Sequence, residues 1–169
     1  MAHRFNISRY YITPEDDQKM NRFEAISGDR RYPLIGQYIR GFMARHRPYY
    51  IELARYDIKA RGMIPHEWAA IVLKEGYKGL PPYLDPEYKP DTSCDPLAHV
   101  ELPDDCLSKT GNYIPLTRQN YILMQTLFHY GEGTQGRLIG LIIREHICRN
   151  WKNLYNEQIK ANSSYEWLE

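Results

Sequence analysis

The sequence predicts a mainly helical protein with a short two-stranded antiparallel β-ribbon. Three observations predict this. A helix-like phrase occurs twice, as PLIGQYIRGFMAR from Pro33 and as GRLIGLIIREHICR from Gly136. Each phrase follows an earlier helical stretch that opens on a threonine, Thr13 or Thr117. Each of those is preceded by a short strand-like run, FNISRYYI or NYIPL.

The run Phe5 to Ile12 is rich in aromatic and β-branched residues, which suit a half-buried pleated surface. It ends at TPEDD, where Thr13 can cap a helix and Pro14 fits its first position. The acids that follow complement the positive end of the helix dipole. A helix is therefore expected over 14–27, with Met20 and Phe23 inward and Gly28 as its stop. After the basic turn Asp29-Arg30-Arg31-Tyr32, Pro33 should open a second helix. Its apolar positions Ile35, Tyr38, Ile39, Phe42 and Met43 form one stripe, and Pro48 should break or kink it. A further helix is expected over 49–61, and a short one over 65–75 ahead of Gly76. The stretch 76–111, with Pro81-Pro82, Asp85-Pro86 and Asp95-Pro96, reads as an extended surface connection. Then come a strand over 112–116, a helix over 118–130, a glycine-rich turn over 131–136, a final helix from Arg137 to about Ala161 and a polar tail.

Displacing the chain by 104 positions tests whether the echo is general. Six of the twelve positions from Leu34 to Arg45 are then identical, among them Gly36 with Gly140 and Arg40 with Arg144. Composition alone would give roughly one. The same displacement lays Thr13 on Thr117, Met20 on Met124 and strand on strand. The chain thus divides into a first strand-helix-helix copy over 1–62, an acidic connection over 63–111 and a second copy over 112–169. One unit cannot pair its lone strand, and two copies can. Gly36 and Gly140 then mark a close helix approach.

Charge follows the same division. Residues 1–62 carry 12 basic and 7 acidic side chains, 63–108 carry 3 and 9, and 109–169 carry 7 and 5. A folded chain with such segregation presents a positive face to anions, unless the segments neutralise one another. Three cysteines without a CxxC pair point to a reducing compartment. No apolar stretch is long enough to span a bilayer and none follows Met1, so the expectation is a cytoplasmic protein without a membrane partner.

The segment RFNISRYYITPEDDQKMNRFEAISGDRRYPLIGQYIRGFM resembles the ribbon-helix-helix family, the MetJ/Arc type of DNA-binding proteins, and 112–147 matches it less well. The resemblance implies a tandem ribbon-helix-helix repeat whose ribbon enters the major groove of double-stranded DNA. Tyr10 and Ile12 would face inward, leaving Arg4, Ile7, Arg9 and Tyr11 for DNA. Ile114 and Leu116 would face inward in the second copy, leaving Gly111, Tyr113 and Pro115. A register shifted by one exchanges the two sets. The N-terminus of the second helix in each copy would hold a phosphate, with Arg30, Arg31 and Arg137 adding charge. Pro115 and the absence of an arginine from the second strand depart from the family pattern, as does Pro33 in place of a polar cap.

Other motifs carry less. The GEGTQG of 131–136 spells a dinucleotide fingerprint, but a helix precedes it where a strand is required. His66-Glu67 lacks a second histidine, and Cys94, His99 and Cys106 match no common zinc spacing. No cofactor, metal or catalytic residue is therefore expected. The expected role is transcription regulation through DNA, with a second copy of the chain as a further partner. The alternative is a protein-interaction adaptor that keeps the scaffold and uses the acidic stretch and the tyrosine-rich faces.

Overall fold

The structure is a computed structural model that describes residues 3–163 and Leu168. Most of the expected tail after Ser163 lies outside the described residues. The chain is mainly helical, with two antiparallel sheets of two strands each. The strands are β1 (His3–Asn6), β2 (Arg9–Ile12), β3 (Leu107–Thr110) and β4 (Tyr113–Leu116). The helices are α1 (Pro14–Ser27), α2 (Arg31–Ala60), α3 (Pro65–Glu75), α4 (Arg118–Tyr130), α5 (Gln135–Asn150) and α6 (Asn156–Ser163). A 3₁₀ turn covers Tyr77–Gly79, and a π turn, Trp151–Tyr155, joins α5 to α6.

Strand β1 pairs with β4 and β2 with β3, with His3 opposite Leu116 and Ile12 opposite Leu107. Between the two sheets the Ile7 N–H donates to Asn112 O and the Gly111 N–H donates to Ser8 O, both at 3.1 Å. The pairing thus runs on from 3–12 against 107–116. Strand β3 was expected to be part of the connection. Its side chains are mostly exposed, so no apolar alternation marks it. It is a strand because β2 would otherwise leave backbone groups unpaired.

Helix α1 has the expected limits. Thr13 Oγ1 accepts from Asp16 N at 3.0 Å, and Gly28 closes the helix at φ 78 by donating to Glu24 O. Thr117 does the same for α4, accepting from Asn120 N at 3.1 Å. Helix α2 starts at Arg31 rather than Pro33. It kinks at His46 (φ −113, ψ 17), as expected of Pro48, which has no N–H for the turn before it, and 49–60 continues as helix beyond the kink. The expected long final helix is also interrupted. Asn150 (φ −111, ψ −15) ends α5, and the π turn follows.

Both ends of the chain share one core. It joins Ile12, Ile35, Ile39, Phe42 and Met43 to Ile114, Met124, Leu127, Ile139 and Ile143, all buried. The connection contributes Leu97 to the same core, so it is more than a surface wrapping. A second cluster gathers Ala54, Trp68, Val72, Tyr77 and Leu80 beneath α3.

At the edge of the main core, the His146 ring stacks on Tyr38 with 3.8 Å between centroids. The Tyr155 hydroxyl lies 2.6 Å from His146 Nε2 and donates to the Tyr38 hydroxyl at 2.9 Å. Burial, with Arg45 and Arg149 nearby, pushes the imidazole down to about 4 from its ordinary 6.5. The folded state thus holds His146 neutral where the unfolded chain binds a proton. Its contribution is fully present above about pH 6.5 and is lost as pH falls through about 4, up to about 3 kcal/mol in all. Urea unfolding across this window should show a shallower loss for His146→Phe than for the parent chain. An unchanged slope would assign the acid sensitivity to other groups.

Candidate nucleic-acid interface

Along the first strand Phe5, Ile7, Tyr10 and Ile12 are buried, while Arg4, Asn6, Ser8 and Arg9 are exposed. Two consecutive exposed residues, Ser8 and Arg9, shift the alternation by one where the two sheets meet. The partner strand shows the same step, with Asn112 and Tyr113 exposed ahead of buried Ile114. This corrects the outward placement expected for Ile7, which is only 4% exposed and sits in the core. Strict alternation across 5–12 had put it on the other face. Gly111 lies opposite, with the carbonyl of Ile7 1.5 Å from where a Cβ would stand. Only glycine permits the strands to meet there.

The exposed face is polar and carries most of its charge on one strand. Arg9 Nη1 donates to Ser108 Oγ at 2.6 Å and reaches across the ribbon in doing so. Arg4 borders a shallow recess of about 390 Å³ with Asn112, Tyr113 and Pro115. Tyr113 is 55% exposed. Tyr11 is half-buried, its ring against Gly136 at the start of α5. Asn6, Ser8, Ser108, Thr110 and Asn112 join this face and escaped the sequence reading. The displacement by 104 would have found the β3 members, because it carries 3–6 onto 107–110.

The three arginines expected at the helix entrances separate. Arg30 is exposed, and its side chain does not cap α2. Arg31 is held inward. It pairs with Asp17 at 2.9 Å and with Glu24, donates to Asn21 Oδ1 at 2.6 Å, and lies 3.4 Å from the Tyr10 hydroxyl. Burial works against its charge, but these partners outweigh it and hold the guanidinium above its ordinary range. Arg31 therefore joins α2 to α1, and the expected phosphate contact is corrected to an internal ion pair. Sequence could not tell Arg30 from Arg31. Arg137 is half-buried and donates to Leu102 O at 3.0 Å. At the entrance of α5, Thr134 Oγ1 accepts from Arg137 N at 3.4 Å, so one of the N–H groups expected to meet a phosphate is already taken.

A second polar cluster lies away from the ribbon, around Asp57 of α2. Arg61 Nε (2.7 Å), Trp68 Nε1 (2.9 Å), the Tyr83 hydroxyl (2.9 Å) and the Tyr130 hydroxyl all donate to its carboxylate. These donors occupy the carboxylate, so the cluster is built for holding elements together. The turn between α4 and α5 covers only 131–134, because Thr134 caps α5 and the helix begins at Gln135 rather than at the expected Arg137. Gln135 borders an open recess of about 900 Å³ with Lys74, Lys78 and His129. Among the described residues no group of three metal-ligating side chains is gathered, and no helix is long and apolar enough to cross a membrane.

No family model, curated protein or solved structure matches the chain.

Proposed function

We propose that the protein is a duplicated ribbon-helix-helix-type protein that binds double-stranded DNA through the exposed face of 3–12 and 107–116, and that it regulates transcription. The observation that carries this reading is the antiparallel ribbon formed within one chain, with Arg4, Asn6 and Arg9 exposed on it. A two-stranded ribbon fits the major groove, and arginine is the commonest donor to guanine edges there.

Duplication is supported by the element starts. They are 3 and 107, 9 and 113, 14 and 118, 31 and 135, each pair 104 apart. The bends at His46 and Asn150 are separated by the same interval. So are the two bridging hydrogen bonds, Ile7 to Asn112 and Gly111 to Ser8, once donor and acceptor strands are exchanged. A duplicated unit with a two-fold axis between residues 7 and 8 would produce these relations.

The expected result is salt-sensitive binding of random duplex DNA at low ionic strength, read by fluorescence anisotropy. Arg9→Ala should weaken binding to a preferred site by about 1–3 kcal/mol. Absence of binding at low salt would remove the reading. The adaptor reading is favoured by one observation, the exposed Tyr56, Ile64 and Leu84 around the junction of α2 and the connection. A complex isolated without DNA and insensitive to Arg9→Ala would support it.

A further inference from the structure

We infer that the ribbon reads a non-palindromic DNA sequence, with its discriminating contacts supplied by one strand. The inference rests on the DNA-binding reading and deepens it. In a ribbon made by two identical chains, two-fold-related positions carry the same residue and therefore read the same base. Here the two-fold-related positions differ by 104, and the exposed ones differ in chemistry. Arg4 corresponds to Ser108, Arg9 to Tyr113 and Tyr11 to Pro115. Positions 6 and 8 against 110 and 112 also carry different residues.

The difference bears directly on recognition. A guanidinium can donate twice to guanine O6 and N7, and it tells guanine from the other bases. A serine hydroxyl donates to or accepts from any base edge, a proline has no donor, and a tyrosine offers one hydroxyl on a rigid ring. On the exposed face one strand therefore carries two strong guanine readers and the other carries none, since Lys109 stands opposite buried Tyr10 and pairs with Asp17 at 3.7 Å. Arg4 stands opposite Pro115 and Arg9 opposite Thr110, so the two readers lie toward opposite ends of the ribbon. Five residues of strand span about 17 Å, which is about five base pairs. The helix entrances repeat the imbalance. Arg30 at the entrance of α2 is replaced by Thr134 at that of α5, where the hydroxyl accepts from a backbone N–H.

The site should contain two guanine-selective positions about five base pairs apart, within a sequence that is not its own reverse complement. Selection of bound duplexes from a random pool by the full chain, followed by sequencing, tests this. The expected result is an asymmetric motif in which Arg4→Ala abolishes the preference at one guanine and Arg9→Ala at the other. Both residues are exposed, so neither variant disturbs the core. A palindromic motif, or an asymmetric one that both variants leave intact, would overturn the inference while leaving DNA binding in place. A pool that is bound but not enriched for any sequence would also overturn it. A pool that is not bound at low salt would instead remove the DNA-binding reading itself.

Discussion

Asp57→Ala should destabilise the protein by about 3–5 kcal/mol, the range for removing one partner of a buried charge pair. Asp57 is fully buried in α2, and burial alone would raise its carboxyl. Hydrogen bonds from Arg61, Tyr130, Trp68 and Tyr83 outweigh that and keep it below the ordinary carboxylate range. Those donors come from the residue that closes α2, from α4, from α3 and from the connection, so one carboxylate ties four segments. Without it Arg61, with its side chain 6% exposed, would retain Pro81 O at 2.6 Å and the Tyr83 ring, and no countercharge. The loss should appear as a lower urea midpoint with an unchanged slope. Amide exchange should rise first in 65–83, which pack on this cluster. A loss below about 1 kcal/mol would mean that water replaces the carboxylate and that the cluster is not closed.

Gly140→Ala should cost about 3 kcal/mol, whereas Gly36→Ala should cost little or stabilise. The two glycines occupy corresponding places in α2 and α5 but meet different neighbours. A Cβ at 140 would stand 1.9 Å from the carbonyl oxygen of Tyr11 and 2.8 Å from Leu102 Cδ1. Backbone in a paired strand cannot step aside, so α5 must lift from β2. A Cβ at 36 would meet Arg40 Nη1 at 3.0 Å and Ile114 Cγ2 at 3.2 Å, both on side chains. Arg40 can swing away, and alanine is worth up to about 1 kcal/mol over glycine inside a helix. Thermal unfolding should place Gly140→Ala about 6–12 °C below the parent and Gly36→Ala within about 3 °C of it. Equal shifts would show that the close approach at Gly140 is not a constraint on the fold.

Local chemistry made several elements legible before the structure. Thr13-Pro14 with Gly28, Thr117, and Pro65 with Gly76 marked the limits of α1, α4 and α3 because capping is a property of neighbouring residues. What depends on distant partners was not legible. Leu107–Thr110 is a strand only because β2 lies beside it. Gly36 and Gly140 did mark a close approach, but to the strand residues Ile114 and Tyr11 rather than to another helix. Ile7 was misplaced because Ser8 and Arg9 break the alternation, and that step depends on the meeting with Gly111 and Asn112. Arg30 and Arg31 differ only in which one reaches Asp17 and Glu24. The Asp57 cluster draws on residues from 57 to 130 with no spacing rule to connect them. Of the residues expected at the DNA, Arg4, Arg9, Arg30 and Tyr113 are exposed, Tyr11 and Arg137 are half-buried, and Ile7 and Arg31 are committed to the interior.

The central claim is that one chain presents its own ribbon to DNA. The most direct measurement is the change in backbone amide NMR resonances when a random duplex is added at low salt. The account predicts shifts concentrated at 4–11 and 108–113, with Arg30 beside them, all reversed as salt is raised. No shifts at low salt, or shifts centred on the recess that holds Lys74 and Lys78, would contradict it.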